Sequence, residues 1–181
     1  MGQDLEELVD VVDAGDRVTG RAPRREVRAR QWRHRAVHIF VFNRAGQVFL
    51  HLRSRTKDLF PGTWDSSCAG HVAAGEDYNS TAVRELAEEL GLEVGPPGDG
   101  GDAPVPGRLQ RLFKVEAQPA TGWEFVWVYR LEHEGPFVLH PDEIERGGWF
   151  SPAEVDHWLA ERPAEIAPAL ALLWPRVRAT R

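Results

Sequence analysis

The amino-acid sequence predicts an α+β fold in which hairpins form a β-sheet and helices accompany it. Three pairs of strand-like segments, each joined by turn-forming residues, predict the sheet. A helical segment lies between the second and third pairs, and two more helical segments follow the third pair. The chain of 181 residues is expected to form a single domain, residues 1–181. A domain of this size buries about two thirds of its unfolded surface.

The first predicted hairpin belongs to an N-terminal extension, residues 1–30. Residues 8–12 and 17–21 have the pattern of strands, and residues 13–16 supply the turn between them. Arginines cluster over residues 24–35. They either steer an anionic substrate or act as scattered solubilising charges beside acidic neighbours. The sequence leaves both interpretations open.

The second predicted hairpin should lie at the centre of the sheet. Residues 36–42 form a β-branched and aromatic run, residues 43–46 form a turn that ends in glycine, and residues 47–53 pair back. Residues 66–72 are expected to be extended and to lead into the most informative part of the sequence.

A glycine- and proline-rich segment, residues 95–107, precedes the third predicted hairpin. This composition supports no regular element, so we expect a flexible surface insertion. Residues 108–116 and 123–132 then alternate in polarity around the turn-forming residues 119–122. This hairpin is expected to complete the sheet.

Residues 151–181 are expected to form C-terminal helices. Ser151, Pro152 and Glu154 make a helix start with a capping box, and this helix should run to about Glu161. A last helix is expected from about Ala164. Two prolines in that segment, Pro168 and Pro175, should make it short or kinked.

The composition limits the class of protein. A net charge of −6 argues against a nucleic-acid partner, because such partners favour basic surfaces. Cys68 is the only cysteine, which excludes an internal disulfide. The acidic N-terminus lacks the apolar core of a signal peptide, and no apolar run approaches the roughly 20 residues of a membrane span. We therefore expect a cytoplasmic protein without a membrane partner.

The stretch from Gly70 to Leu92 combines a loop with a predicted acidic helix. Asp77 can cap the helix, and Gly91 can end it in a left-handed conformation. At 3.6 residues per turn, three acids share one face: Glu85, Glu88 and Glu89. An apolar stripe should lie roughly opposite them: Val83, Leu86, Ala87 and Leu90.

The three acids repel one another by a few tenths of a kcal/mol per pair, and only Arg84 lies beside them as a local counter-charge. A divalent cation would remove this repulsion. Ligands that are all oxygen atoms favour Mg²⁺ or Mn²⁺, which also bind phosphate oxygens. However, an acidic helix face is more often simply solvated, so the acids alone do not decide the function.

The complete string of residues at fixed spacing is more specific. Every fixed position of the Nudix box is occupied: Gly70, Glu76, Arg84, Glu85, Leu86, Glu88, Glu89, Gly91 and Leu92. The sequence therefore resembles the Nudix hydrolase family. This resemblance implies an α/β/α sandwich with a central mixed sheet and a loop-helix motif. It also implies hydrolysis of a small-molecule diphosphate, such as a nucleoside diphosphate linked to a group X.

The resemblance also implies roles for individual residues. Glu88 and Glu89 would be the principal ligands of Mg²⁺ or Mn²⁺. Glu85 would add a ligand or orient the attacking water, and the backbone carbonyl of Ala69 would complete the coordination.

Other motif residues would support this catalytic centre. Arg84 would pair with Glu76 beside the metal ligands. Gly70 and Gly91 would have structural roles.

The general base is not fixed by the motif. Glu124 is our candidate, because it is the only acid flanked by apolar residues inside a predicted strand. Burial would raise its pKa and suit it to proton transfer or metal binding. The alternative is an exposed position on the strand face. Glu116 and Glu143 are weaker candidates.

The loop after the second hairpin carries candidate phosphate contacts. Pro61 and Gly62 force this loop. Its basic residues are expected to contact the substrate: Lys57, Arg55 and Arg53. Phe60 and Trp64 are expected to pack rather than to stack on a base.

A second resemblance supplies an alternative function. The segments around His34, around the Pro61-Gly62 loop and around Gly70-His71, together with Glu124, look like type 1 isopentenyl diphosphate isomerase, which has the same fold. In that family, the matching positions supply two metal-binding histidines, here His34 and His71, and a catalytic glutamate, here Glu124.

The catalytic cysteine of the isomerases is missing here. Ala69 occupies its position, and Cys68 lies one place earlier. In an extended segment this shift directs the thiol to the opposite face, so we expect Cys68 to be buried and inert. The isomerases also lack the complete acidic string, so a hydrolase is favoured. A module that binds a diphosphate without cleaving it is a further alternative. The edges of the first hairpin could pair two subunits into a homodimer.

Overall fold

A mixed β-sheet with helices on both faces organises the molecule, in a computed structural model that describes residues 5–97 and 107–180. In chain order, the strands are β1 (Leu8–Val12), β2 (Val18–Pro23), β3 (His34–Phe42), β4 (Val48–Arg53), β5 (Trp64–Asp65), β6 (Cys68–His71), β7 (Gln110–Val115), β8 (Glu124–Glu132) and β9 (Ile144–Phe150). The helices are α1 (Arg24–Ala29), α2 (Tyr78–Leu90), α3 (Pro152–Glu161) and α4 (Pro168–Ala179), with 3₁₀ turns at Pro119–Thr121 and Pro163–Glu165. The predicted α+β fold is confirmed.

Strand β3 is the centre of the seven-stranded sheet. One edge pairs in parallel with β8 from His34 to Phe42. The other edge pairs antiparallel with β6 up to Ile39 and then with β4 at Val41 and Phe42. The predicted hairpin of β3 and β4 is confirmed. It is short because β6 occupies the remaining part of the same edge.

Alternate residues of β3 face two separate apolar cores. Ile39 packs on the side of α2 with Leu86. Phe40 packs on the opposite side, where its ring centroid lies 6.2 Å from that of Trp174 in α4. Because both faces of β3 are covered, its sequence is a nearly continuous apolar run.

The N-terminal extension contains a helix that the sequence analysis did not predict. Strands β1 and β2 form the expected antiparallel hairpin. Helix α1 follows at once and buries Val27 against Val9 and Ala22 in a small third core. A helix of six residues is too short to show a periodic apolar pattern, which explains why only its arginines were noticed.

The third hairpin is confirmed, since β7 and β8 pair antiparallel. The Gly/Pro insertion expected at residues 95–107 lies mostly outside the described residues. Strand β9 was not predicted, because Gly147 and Gly148 weaken a strand signal. In the structure β9 pairs with β4. A Cβ atom on Gly147 would lie 2.1 Å from the ring of Phe49, so the missing side chain makes room for that ring.

The C-terminal helices agree with the sequence in their number but not in every boundary. Helix α3 begins at the predicted capping box, with the Ser151 side chain accepting from the Glu154 N–H. The last helix begins at Pro168 rather than at about Ala164, because Ala167 instead donates its N–H to the Trp64 carbonyl. Pro168 then takes the first helical turn, where a missing N–H is tolerated. None of the helices in the described part of the chain has the length and apolar character of a membrane span.

Candidate active site

Helix α2 has the boundaries predicted from its capping residues. The Asp77 carboxylate accepts from the N–H groups of Asn79 at 2.8 Å and Ser80 at 3.0 Å. Gly91 ends the helix with φ of +66°, a conformation that favours glycine. These contacts fix where each acid of the helix lies.

The orientation of α2 differs from the expectation. Glu85 and Glu89 are buried together with Leu86, whereas Ala87 and Glu88 are exposed. The predicted apolar stripe is therefore wrong at Ala87, because the helix turns one edge of its acidic face inward against β6. Two of the three motif acids point into the molecule.

An open cleft of about 620 Å³ contains the motif acids. Its lining combines carboxylates with basic side chains. The acids are Glu7, Glu85, Glu88, Glu89, Asp142 and Glu143, and the bases include Arg24, Lys57 and Arg84. Ala69, Gly70 and His71 of β6 form one wall. We call this the acid cleft.

The buried carboxylates of the acid cleft fit a divalent cation. Burial raises the pKa of Glu85 above its usual range, and the neighbouring Glu89 raises it further. Burial and the charge of Glu143 likewise raise the pKa of Glu89. Carboxylates supply hard oxygen ligands, which favour Mg²⁺ or Mn²⁺. The Ala69 N–H also donates to Glu89 Oε2, at 3.3 Å.

Arg84 is the counter-charge within the acid cleft. Its guanidinium pairs with Glu76 at 3.1 Å, as expected, and with Glu85 at 2.8 Å and Glu88 at 2.9 Å. Burial alone would lower its pKa, but the ion pairs outweigh that effect and raise the pKa. Arg84 therefore keeps its charge and holds three motif carboxylates in place: Glu76, Glu85 and Glu88.

The three basic residues expected to contact phosphate are separated in space. Lys57 has a buried side chain in the acid cleft, where it bonds to Glu143. Arg53 pairs with Asp65 at 3.2 Å and lines a different cleft. Arg55 is 80% exposed, pairs with Glu145 and lines neither cleft.

Glu124 does not line the acid cleft. It lies in a second cleft of about 320 Å³, which we call the histidine cleft and which borders the acid cleft at Ala69, Gly70 and His71. Its Oε1 atom is 3.0 Å from His71 Nε2 and 3.4 Å from His34 Nε2. The two imidazole rings stack with centroids 5.5 Å apart.

The expected rise in the pKa of Glu124 is wrong. Burial does raise its pKa, but the interactions of the carboxylate with His34 and His71 outweigh burial and hold the pKa well below the usual range. Glu124 is therefore a poor general base near neutral pH. Glu143, a weaker candidate in the sequence, is the one that lines the acid cleft.

The histidine cleft contains a cluster that is compatible with a metal ion. One ligand atom each from His34, His71 and Glu124 lies within 4.8 Å of the others. His34 Nδ1 lies 3.0 Å from the Trp32 carbonyl, to which it can donate, and this contact orients the ring so that Nε2 faces Glu124. These are the positions that the resemblance to the isomerases singles out.

Cys68 and Ala69 lie as the alternation of β6 predicts. Cys68 pairs with Ile39 and belongs to the core beside α2, where burial raises the pKa of its thiol. Ala69 pairs with His38, and both line the histidine cleft. The position from which an isomerase cysteine would act is thus occupied by a methyl group.

Several residues of the acid cleft were missed. Glu7 comes from the N-terminal extension, as does Arg24 of the arginine cluster, and His140 and Asp142 precede β9. No local pattern marks Glu7, His140 or Asp142, since only the packing of the extension and of β9 brings them to α2. The arginine cluster was noticed, but most of its members pair with nearby acids, as Arg24 does with Glu7.

Comparison with known proteins identifies the family of this chain. Residues 32–171 match the family model of the NUDIX domain. An uncharacterised Nudix hydrolase of Yersinia pestis is 34% identical over 166 residues, which cover 92% of this chain and 85% of that protein. An isopentenyl-diphosphate Δ-isomerase of Nocardia farcinica is 35% identical over 175 residues, covering 90% of each. A crystal structure from Deinococcus radiodurans superposes with a TM-score of 0.79 at 29% identity, covering 94% of this chain and 98% of that one. The chain therefore belongs to the Nudix family, whose hydrolases act on pyrophosphate bonds.

Proposed function

We propose that this protein hydrolyses the pyrophosphate bond of a small diphosphate in the acid cleft, with Mg²⁺ or Mn²⁺ as cofactor. The observation that carries the proposal is the position of two buried carboxylates against β6: Glu85 beside Gly70 and Glu89 beside Ala69. Together with Glu88 and the Ala69 carbonyl, they would hold the cation. When bound, the cation supplies charge stabilisation to the phosphate oxygens.

The side chains of the acid cleft account for the remaining steps. A water molecule forms a bond to one phosphorus, the bridging P–O bond breaks, and the second phosphate leaves with the bridging oxygen. Lys57 would bind a phosphate oxygen in place of its bond to Glu143. The Glu143 carboxylate, released from this pair, would take the proton of the attacking water.

Arg84 would keep Glu85 and Glu88 oriented during this reaction through its ion pairs. Arg53 would contact substrate only where the ligand extends past β6 into the histidine cleft. Arg55 is the weakest of the three proposed phosphate contacts, because it is exposed and paired outside both clefts.

The test is release of phosphate or phosphate monoester from a panel of diphosphates with Mg²⁺. Glu89→Gln keeps the shape of the side chain and removes its charge, so the rate is expected to fall by several orders of magnitude. Glu93→Gln, an exposed acid just beyond the helix, is the matched control and should retain the rate. Wild-type turnover in Glu89→Gln would remove the motif from the mechanism.

Two other functions remain to be separated by the same panel. The cluster of His34, His71 and Glu124 favours an isomerase-like reaction, whereas Ala69 at the position of the isomerase cysteine opposes it. Isomerisation of isopentenyl diphosphate without phosphate release would establish that function instead. Binding of diphosphates without any turnover would indicate a non-catalytic binding module.

A further inference from the structure

We propose that Asp10 is a positioning residue for the reaction: from the N-terminal hairpin, its carboxylate holds the loop that presents Glu76 to Arg84. We call residues 72–77, between β6 and α2, the motif loop. The inference rests on the proposed diphosphate hydrolysis, because Arg84 in turn orients acids of the acid cleft. It gives the hairpin a part in that reaction.

Strand β1 lies along the motif loop and binds its backbone. The Ala74 N–H donates to the Leu8 carbonyl at 2.8 Å. Val9 forms an antiparallel bridge with Ala73. The side chain of Val9 is fully buried in the small core beside α1, so the strand is a fixed support. The motif loop is therefore attached to the hairpin through its backbone.

Asp10 adds a contact to the motif loop that depends on a side chain. Its Oδ2 atom accepts from the Gly75 N–H at 3.0 Å, and its Oδ1 atom accepts from Arg21 Nε at 3.0 Å. The side chain of Asp10 is 4% exposed, whereas that of Arg21 is 60% exposed. Hydrogen bonds to an ionised acceptor are stronger than those between neutral groups. Both oxygens of this buried carboxylate are thus engaged, one of them by the motif loop.

The contact at Gly75 lies next to the ion pairs of the motif. Glu76 is the following residue, and its carboxylate pairs with Arg84 at 3.1 Å. Arg84 also donates to the carbonyl of His71, just before the motif loop, at 3.3 Å. A shift of the loop at Gly75 therefore moves the group that orients the two acids paired with Arg84 on α2.

The same hairpin also holds the start of the helix that follows the motif loop. Asp16, in the turn between β1 and β2, accepts from the hydroxyl of Tyr78, the first residue of α2, at 2.8 Å. The match to the family model begins at residue 32. A segment outside the matched range therefore supports both the loop and the helix of the motif.

Three variants separate the hydrogen bond of Asp10 from its charge. Asp10→Leu has a similar shape but accepts no hydrogen bond, so kcat should fall about tenfold, the factor that corresponds to about one hydrogen bond. Asp10→Asn keeps an acceptor oxygen for the Gly75 N–H and should restore kcat to within about threefold of wild type. Arg21→Gln removes only the ion pair and should leave kcat unchanged. KM should change little, because no contact with substrate is removed.

Urea unfolding distinguishes positioning from loss of stability. Each variant is assayed under conditions where unfolding shows that it is folded. A purely structural contact would then leave kcat of the folded protein at the wild-type value. Asp10→Ser replaces Asp10→Leu if the latter does not fold. Its hydroxyl is one bond shorter than the carboxylate and does not reach the Gly75 N–H, so the same tenfold fall is expected.

NMR measures the position of the motif loop without any turnover. In wild type, the Nε–H group of Arg84 donates to Glu76 at 3.1 Å. In Asp10→Leu, exchange with solvent should become about tenfold faster at this group and at the Gly75 amide. The amide of Leu86, within α2, should be unaffected. These changes in a protein that hydrolyses no diphosphate would refute the proposed function but support the role of Asp10.

Two kinetic outcomes would overturn the inference. One is a wild-type kcat in folded Asp10→Leu. The other is an equal loss of kcat in Asp10→Leu and Asp10→Asn, since the hydrogen bond to Gly75 would then not be what matters. Unchanged exchange at Gly75 and Arg84 in Asp10→Leu would overturn it as well. Hydrolysis that is lost in Glu89→Gln but retained in Asp10→Leu would keep the proposed function and refute only this inference.

Discussion

The absence of a side chain at Gly70 determines where the Glu85 carboxylate lies. A Cβ atom on Gly70 would be 2.0 Å from Glu85 Oε1 and 2.1 Å from its Cδ. The glycine of the motif therefore leaves the space in which this buried acid reaches β6. Because the obstructing atoms are the end of a flexible side chain, an added methyl group would displace the carboxylate rather than the strand.

Gly70→Ala should consequently impair activity far more than stability. Displacing a carboxylate of the proposed metal site by about 1 Å can cost about 10²-fold in rate. The free energy of unfolding should change by no more than about 1 kcal/mol, since no backbone clash arises. Hydrolysis rates and urea unfolding measure the two effects. Gly20→Ala, where a Cβ atom would meet nothing within 4 Å, is the control. Full activity in Gly70→Ala would show that the position of Glu85 is unimportant.

For an individual acidic residue, the sequence can predict a position on a helix but not the direction of a pKa shift. The spacing of Glu85, Glu88 and Glu89 predicts a shared position, because a helix fixes it. Glu124 was noticed as an acid between apolar residues in a strand, with burial or exposure left open, but the direction of its pKa shift depends on its partners. The pairing of β3 with β8 aligns His34 with Glu124, and the pairing of β6 with β3 brings in His71. No local pattern encodes this pairing.

Asp16 connects the N-terminal hairpin to three other elements. Its carboxylate accepts from Arg35 of β3 at 2.6 Å, from the Tyr78 hydroxyl of α2 at 2.8 Å and from Lys114 of β7 at 2.5 Å. Burial raises the pKa of Asp16, but these bonds outweigh burial and lower the pKa below its usual value of 3.8. The turn of the first hairpin is therefore fastened to the sheet and to α2.

Asp16→Asn should destabilise the protein in a pH-dependent way. A carboxyl whose folded pKa is lowered stabilises the fold above its unfolded pKa, and this contribution disappears as the pH falls through the folded pKa. At pH 7 the variant should lose about 2 kcal/mol of unfolding free energy. The difference from wild type should shrink as the pH falls below about 4. The backbone at this position has φ of +60°, which asparagine tolerates, so backbone strain should not add to the loss of unfolding free energy.

Urea unfolding at pH 7 and at several values below pH 4 measures this difference. Asp13→Asn lies in the same turn, and its bonds to Gly15 and Arg17 stay within the turn, so it should cost less. An Asp16→Asn deficit that is constant with pH would show that the charge of Asp16 is not what stabilises the fold.

Helices and strands whose ends are set by neighbouring residues were predicted correctly, whereas those that depend on contacts with distant segments were not. Both ends of α2 were predicted correctly, because the capping residues Asp77 and Gly91 lie next to the turns that they cap. Strand β9 was missed, because Gly147 becomes favourable only when the Phe49 ring of the neighbouring strand needs the space. Helix α4 begins later than predicted for a similar reason, because the Ala167 N–H donates a hydrogen bond to the carbonyl of Trp64 in β5.

The whole molecule places two clefts against one short strand. Ala69, Gly70 and His71 of β6 border both clefts. The molecule thus carries two groups of candidate metal ligands: the acids of α2, which line the acid cleft, and the cluster of His34, His71 and Glu124, whose ligand atoms lie within 4.8 Å of one another. The first set was predictable from spacing. The second was suggested only by resemblance and assembled by the fold.

Binding of a divalent cation distinguishes these two sets by its effect on stability. A cation that binds the folded chain stabilises it by about 2.7 kcal/mol at one hundred times its dissociation constant. For a domain of this size, that raises Tm by roughly 5 to 10 °C. We expect MgCl₂ or MnCl₂ to raise Tm in wild type, and EDTA to reverse the change.

Two variants show which of the two clefts binds the cation. Glu85→Gln removes a buried carboxylate of the acid cleft and should abolish most of the rise in Tm. Glu124→Gln alters the histidine cleft and should preserve that rise, because the hard oxygen ligands that Mg²⁺ prefers are in the acid cleft. A rise that survives in Glu85→Gln but disappears in Glu124→Gln would place the cation with His34 and His71. In that case, the acids of α2 would not be the metal ligands, and the proposed mechanism of hydrolysis would fail.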